Sequence, residues 1–136
     1  SATSAALRGS LDRVKAMQLA ISRTPNAPGP LDKQLHELRQ NLLDLDEALN
    51  GNRSKQAIGE KDSPTVQNRL STAVSGTRLS TYGPSPMHRR SLEIAKTELG
   101  TIKAQLKQAQ EQEIPQLEKA MAEAGAPWIE GQPLPR

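Results

Sequence analysis

The chain reads as an all-α protein: an antiparallel up-down four-helix bundle with a long, Pro-kinked C-terminal helix and an extended Pro-rich tail. Three observations predict it. Leucine recurs at 31, 35, 38, 42, 45 and 49, in steps of four and three that hold one apolar stripe on one helix face. Pro and Gly gather at the junctions between such periodic segments, at 23–30, 50–51 and 83–86. The apolar residues are mostly Leu and Ala at helical spacing, with no Phe and a mean hydropathy of -0.65.

The first helix is expected over 2–22. Leu7, Leu11, Val14, Gln18 and Ile21 share its stripe, with Met17 beside it, and Arg8, Arg13 and Lys15 lie mostly away. It stops near Ser22 because Thr24 precedes Pro25, and a pre-proline residue is pushed out of the α region. After the connector 23–30, Pro30 suits the first turn of a second helix, where a missing N–H costs nothing. That helix runs over 30–49, with Leu31, Leu35, Leu38, Leu42, Leu45 and Leu49 as core, and ends at Asn50-Gly51, a pair tolerant of left-handed geometry.

Ser63-Pro64 reads as N-cap and first position of a short third helix over 64–75, carrying Val66, Leu70, Ala73 and Val74. Ser85-Pro86 repeats the device and opens the longest helix, 86–124, whose stripe is Leu92, Ala95, Leu99, Ile102, Leu106 and Ala109. Leu99, Ile102 and Leu106 are its core residues. Ile114, Leu117, Met121 and Ala124 continue the apolar face with a one-residue change of phase at Pro115, which predicts a kink near 111–115. Gly125 is the C-cap, so the bundle occupies 1–126 and the tail 127–136. The third helix is short, which leaves the far half of the last helix poorly covered, so that this end is either three-helical or covered by another surface.

At 136 residues the chain has the length of one domain. The opening Ser-Ala-Thr-Ser-Ala-Ala reads as the middle of something, so a fragment of a larger protein is expected. The absence of Cys excludes disulfides and thiolate chemistry. No run of about 20 apolar residues is present to span a membrane.

Net charge is +3, unevenly spread. Segment 31–49 is acidic, and 53–90 is basic through Arg53, Lys55, Lys61, Arg69, Arg78, Arg89 and Arg90. A nucleic-acid surface would pair such a stretch with stacking aromatics, and Tyr82 is the sole aromatic there; no nucleic-acid partner is expected, and a basic nucleic-acid-binding bundle through 53–90 stands as the weaker alternative. There is no phosphate loop, and His36-Glu37 does not complete a zinc-protease motif. No Glu-x-x-His exists for a di-metal bundle site. The acidic groups Asp44/Asp46/Glu47 and Glu111/Glu113 read as solvated faces, and His36 as a surface or boundary histidine. Asn52-Arg53-Ser54 is a formal glycosylation sequon. No catalytic, cofactor or metal residue is assigned.

Two features point outward instead. Arg89-Arg90 place positive charge near a helix N-terminus, unfavourable with the dipole unless a carboxylate compensates it. Trp128, after Pro127, is an aromatic in a proline-rich tail, suited to fold back on the bundle or to dock elsewhere. Arg89, Arg90, Pro127 and Trp128 are the candidate partner contacts.

The stretches Glu113-Ile114-Pro115-Gln116-Leu117-Glu118-Lys119-Ala120, Ala124-Gly125-Ala126-Pro127-Trp128 and Gly131-Gln132-Pro133-Leu134-Pro135, with Leu31–Leu35 and Leu49–Arg53, carry a family resemblance. The chain resembles the C-terminal helical region of bacterial sortilin-like (BNR-repeat) β-propeller proteins, which are loosely labelled glycosyl hydrolases. The resemblance implies a non-catalytic accessory bundle of a secreted or periplasmic protein, docked to the parent's propeller or to a second copy of itself. Catalytic or ligand-binding residues of that family would lie on the propellers, and none maps here. The alternative is a bundle lending residues to a glycoside-processing site, which needs a pocket with two carboxylates about 5–10 Å apart. No such pocket is expected.

Overall fold

A computed structural model describes residues 2–51, 65–70 and 86–127. Every regular element among them is helical: α1 (Ala2–Ser22), α2 (Gly29–Asn50), a short stretch at 66–70, α3 (Pro86–Gln108), a π-helical turn (Ala109–Glu113) and α4 (Ile114–Glu123). The chain divides into two compact units, Ser1–Leu43 with Gln105–Arg136, and Asp44–Ala104. The sequence alone reads as one helical domain.

The helix ends follow the local chemistry. At the end of α1 the Thr24 hydroxyl donates to the Ala20 carbonyl at 2.8 Å, and the Thr24 amide donates to the Ile21 carbonyl at 3.1 Å. Carbonyls orphaned by the stop at Pro25 are thereby satisfied. Helix α2 closes on Gly51, whose φ of 88° needs a residue without Cβ and whose amide reaches the Glu47 carbonyl at 2.8 Å. The stretch at 66–70 is capped by Thr65: the Asn68 amide donates to Thr65 Oγ1 at 3.0 Å, the geometry of an N-cap oxygen on the third helical N–H; the expected cap, Ser63, lies outside the described residues. The rest of the expected third helix lies outside the described residues.

In the first unit three helical segments among the described residues make the core: α1, the first part of α2, and the end of the C-terminal helix. Its α1 face is turned from the expected one. At about 100° per residue, Leu11 and Gln18 stand on one edge and are half-buried, while Ser10, Met17 and Ala20 on the other side are buried with Leu7, Val14 and Ile21. Leu31, Leu35, Leu38 and Leu42 are buried as expected. So are Ile114, Leu117 and Met121, so the far half of the C-terminal helix is covered inside this unit.

In the second unit Leu49, Val66, Ala95 and Ile102 are buried. Two expected core residues are corrected to half-buried. Leu45 lies at one edge of the α2 stripe, and Leu99 lies with Leu92 at the edge of an α3 stripe whose buried line runs Ala95–Ile102–Leu106–Ala109. Asp46 and Glu47, read as a solvated face with Asp44, are half-buried too, and Asp46 Oδ1 accepts from Asn50 Nδ2 at 2.9 Å.

At the position of the expected kink the structure has a π-helical turn. The Ile114 amide donates to the Ala109 carbonyl, five residues back, and the helix runs on with Pro115 in the first turn of α4. A π turn accommodates one residue more than an α turn. That extra residue is the physical form of the phase change. An unbroken α-helix would carry the buried line from Ala109 to Glu113, whereas the π turn brings Ile114 inward. Beyond it, α4 ends in a Schellman cap: Ala126 N–H to Met121 O at 3.0 Å, Gly125 N–H to Ala122 O at 3.1 Å, with Gly125 at φ 81°.

Candidate functional site

The π turn has a second effect. Turning Ile114 and Leu117 into the core turns Glu113, Gln116 and Ala120 toward α2. There they form one wall of a cleft of about 270 Å³, with Leu117 at its base. The other wall is Gln34, Glu37, Leu38 and Asn41 of α2. Both sets fall at i, i+3, i+4 and i+7, so each wall is one helix face, and the two faces belong to the same compact unit.

Each wall contributes one buried leucine, Leu38 and Leu117, to an apolar floor. The rim is polar. Glu37, Gln34, Asn41 and Gln116 are exposed, and Glu113 is half-buried. No Lys or Arg among the described residues lines the cleft. It can therefore accept hydrogen bonds and positive charge at its mouth while covering a short apolar stem.

Glu37 and Glu113 both line it. The cleft departs from one sequence expectation. The Glu111/Glu113 pair reads as a solvated face, but only Glu111 is exposed. The signal that points here is the phase change between Ala109 and Ile114. Among the described residues no group of three or more His, Asp or Glu side chains stands where it could hold a metal ion.

One wall helix is anchored from behind. Arg13 of α1 sets Nη2 2.7 Å and Nε 2.8 Å from Glu118 Oε1 on α4, with both side chains largely withdrawn from solvent. Arg13 thus belongs to the packed side of α1, contrary to the reading that put it away from the stripe.

Of the candidate contacts, Arg89 and Arg90 are exposed on the first turns of α3, beside Met87, which is 78 % exposed. Pro127 is exposed just past the Schellman cap, in the other unit. Trp128 lies outside the described residues, as do Asn52 and most of the basic segment 53–90. His36 is exposed and His88 half-buried. No described helix is long and apolar enough to cross a membrane. Compared with known protein-family models, curated proteins and solved structures, the chain matches none.

Proposed function

We propose that this chain is a non-catalytic helical interaction module that docks onto another protein surface through the start of α3. One observation carries the reading: Met87 is a large apolar side chain 78 % exposed at a basic helix start, and Arg90, three residues on, shares its face. Positive charge there works against the helix dipole, and an anionic partner surface removes the conflict. Desolvating Met87 against an apolar spot on that surface contributes about 1.5–3 kcal/mol.

The sequence resemblance supplies the partner to test, a β-propeller domain of the same parent protein in a periplasmic or extracellular setting, with self-association as the other arrangement. It also supports the Pro127–Trp128 segment as a second contact, and the up-down arrangement of the helices belongs to the same proposal. The alternative, residues lent to a glycoside-processing site, draws on Glu37 and Glu113 in one cleft. That chemistry needs one carboxyl fully withdrawn from water, and Glu37 is exposed while Glu113 is only half-buried. This favours the interaction reading.

The test is the solution mass of the full chain and its titration with the propeller domain. Met87→Asp with Arg90→Glu is expected to abolish association while leaving far-UV circular dichroism unchanged, and Trp128→Ala to weaken it. A monomer at every concentration whose variants bind the propeller as the parent chain does overturns the proposal.

A further inference from the structure

We propose that the cleft between α2 and α4 is a binding site for an alkylammonium group: a primary amine carried on a short aliphatic stem. The argument is chemical complementarity across the two walls. Glu37 and Glu113 put one carboxylate on each wall, and no Lys or Arg among the described residues lines the cleft beside them. A cation seated between two carboxylates gains charge-assisted hydrogen bonds from both. An ammonium has three donors and no acceptor, which suits a rim of carboxylate and amide oxygens.

The floor selects what carries the charge. Leu38 and Leu117 are buried at the base, and Ala120 is the small residue that keeps the cleft open. A hydrated inorganic cation gains nothing from an apolar floor. A methylene stem covers it and is desolvated in return. At about 270 Å³ the cleft lies just below the range of about 300–1,000 Å³ usual for drug-sized ligands, so a ligand of few heavy atoms fits.

The π turn adds a geometric reason. It is the extra residue before Ile114 that brings Glu113, Gln116 and Ala120 to the cleft rather than to the core. π turns inside α-helices recur at functional sites. The same turn that keeps Ile114 and Leu117 buried therefore builds one wall of the site.

Two probes carry the ammonium in its two natural forms: free 1,5-diaminopentane, and N-acetyl-lysine methylamide for a side chain borne on a peptide. Each is titrated into the full chain by calorimetry and by ¹H–¹⁵N NMR, with pentane-1,5-diol as the uncharged stem and ammonium chloride as the stemless charge. Binding of at least one amine is expected with Kd on the order of 1 mM, with neither control binding. The amine that binds more tightly identifies the source. Glu113→Gln is expected to weaken binding about tenfold, the loss of one charge-assisted hydrogen bond. Ala120→Leu, which fills the cleft without changing charge, is expected to abolish it. Glu111→Gln, the same charge change on an exposed neighbour outside the lining, leaves it intact. Three results overturn the proposal: no saturable binding of either amine, equal weakening by Glu111→Gln and Glu113→Gln, or binding of the diol as tight as that of the diamine. The last would assign the cleft to polyhydroxyl ligands.

Discussion

Arg13 brings two guanidinium nitrogens to a single carboxylate oxygen of Glu118, 105 residues further along the chain, at 2.7 and 2.8 Å. The pair joins the first helix to the last within one compact unit, and with side chains 17 % and 16 % exposed it is shielded from solvent. The contrast is Arg69 with Glu98, at 4.0 Å and 28 % and 43 % exposed, where the buried Arg69 Nε has no hydrogen-bond partner. Distance and exposure rank the two pairs. A double-mutant cycle with Arg13→Met and Glu118→Gln is expected to give a coupling of about 1–2 kcal/mol by urea denaturation. The cycle on Arg69 and Glu98 is expected to give less than about 0.5 kcal/mol. Equal couplings would contradict the ranking.

The π turn makes a prediction about chain length. Deleting Gln112 leaves Ile114, Leu117 and Met121 in phase with Ala109 on a regular α-helix, but it places Pro115 inside that helix. The proline then meets a carbonyl four residues back, at a cost of about 3 kcal/mol. Adding Pro115→Ala to the deletion should recover most of that loss. Deleting Gln116 instead turns Leu117 and Met121 off the core by about 100° and is expected to cost more than the Gln112 deletion, with no rescue by Pro115→Ala. Denaturation midpoints of the four chains decide it. A Gln116 deletion as mild as the double variant would show that phase is not what the turn protects.

Glycines give a third test, with opposite signs at different positions. Gly9 in α1 and Gly100 in α3 are exposed helical residues whose added Cβ would meet nothing within 4 Å. Gly9→Ala and Gly100→Ala are each expected to stabilise by about 0.5–1 kcal/mol, because the unfolded chain loses freedom and the helix gains propensity. Gly125 has the same open surroundings but a φ of +81°. Gly125→Ala is expected to destabilise by about 1–2 kcal/mol through backbone strain in the Schellman cap. Thermal melts of the three variants check the signs.

How much was legible in the sequence varies by element. Helix ends were the clearest, since Pro25, Gly51, Pro86 and Gly125 act through the local backbone and need no partner. Stripes were legible as stripes, but their centres were not. Leu11, Leu45 and Leu99 satisfy the helical period as well as their buried neighbours do, and only the direction of the facing helix decides which edge is covered. Ser10 shows the converse, a small polar residue buried by its place on that face. The phase change before Pro115 was visible, and proline offered a ready cause. A kink redirects an axis without restoring phase, whereas a π turn restores it. The cleft was the least legible. Gln34, Glu37 and Asn41 share one helix face but make a cleft only with Glu113 and Gln116 opposite, and that pairing joins residues about eighty positions apart.

The aliphatic core has a spectroscopic consequence. Its buried apolar side chains among the described residues are Leu, Ile, Val, Met and Ala, while the two aromatic residues of the chain, Tyr82 and Trp128, are outside the described residues. Near-ultraviolet absorbance and intrinsic fluorescence therefore report on those two positions and on none of the buried aliphatic side chains directly. The core is instead dense in methyl groups. Methyl ¹³C resonances of Leu35, Leu42, Met17 and Met121 observe it directly, and they distinguish a fixed interior from a merely collapsed one.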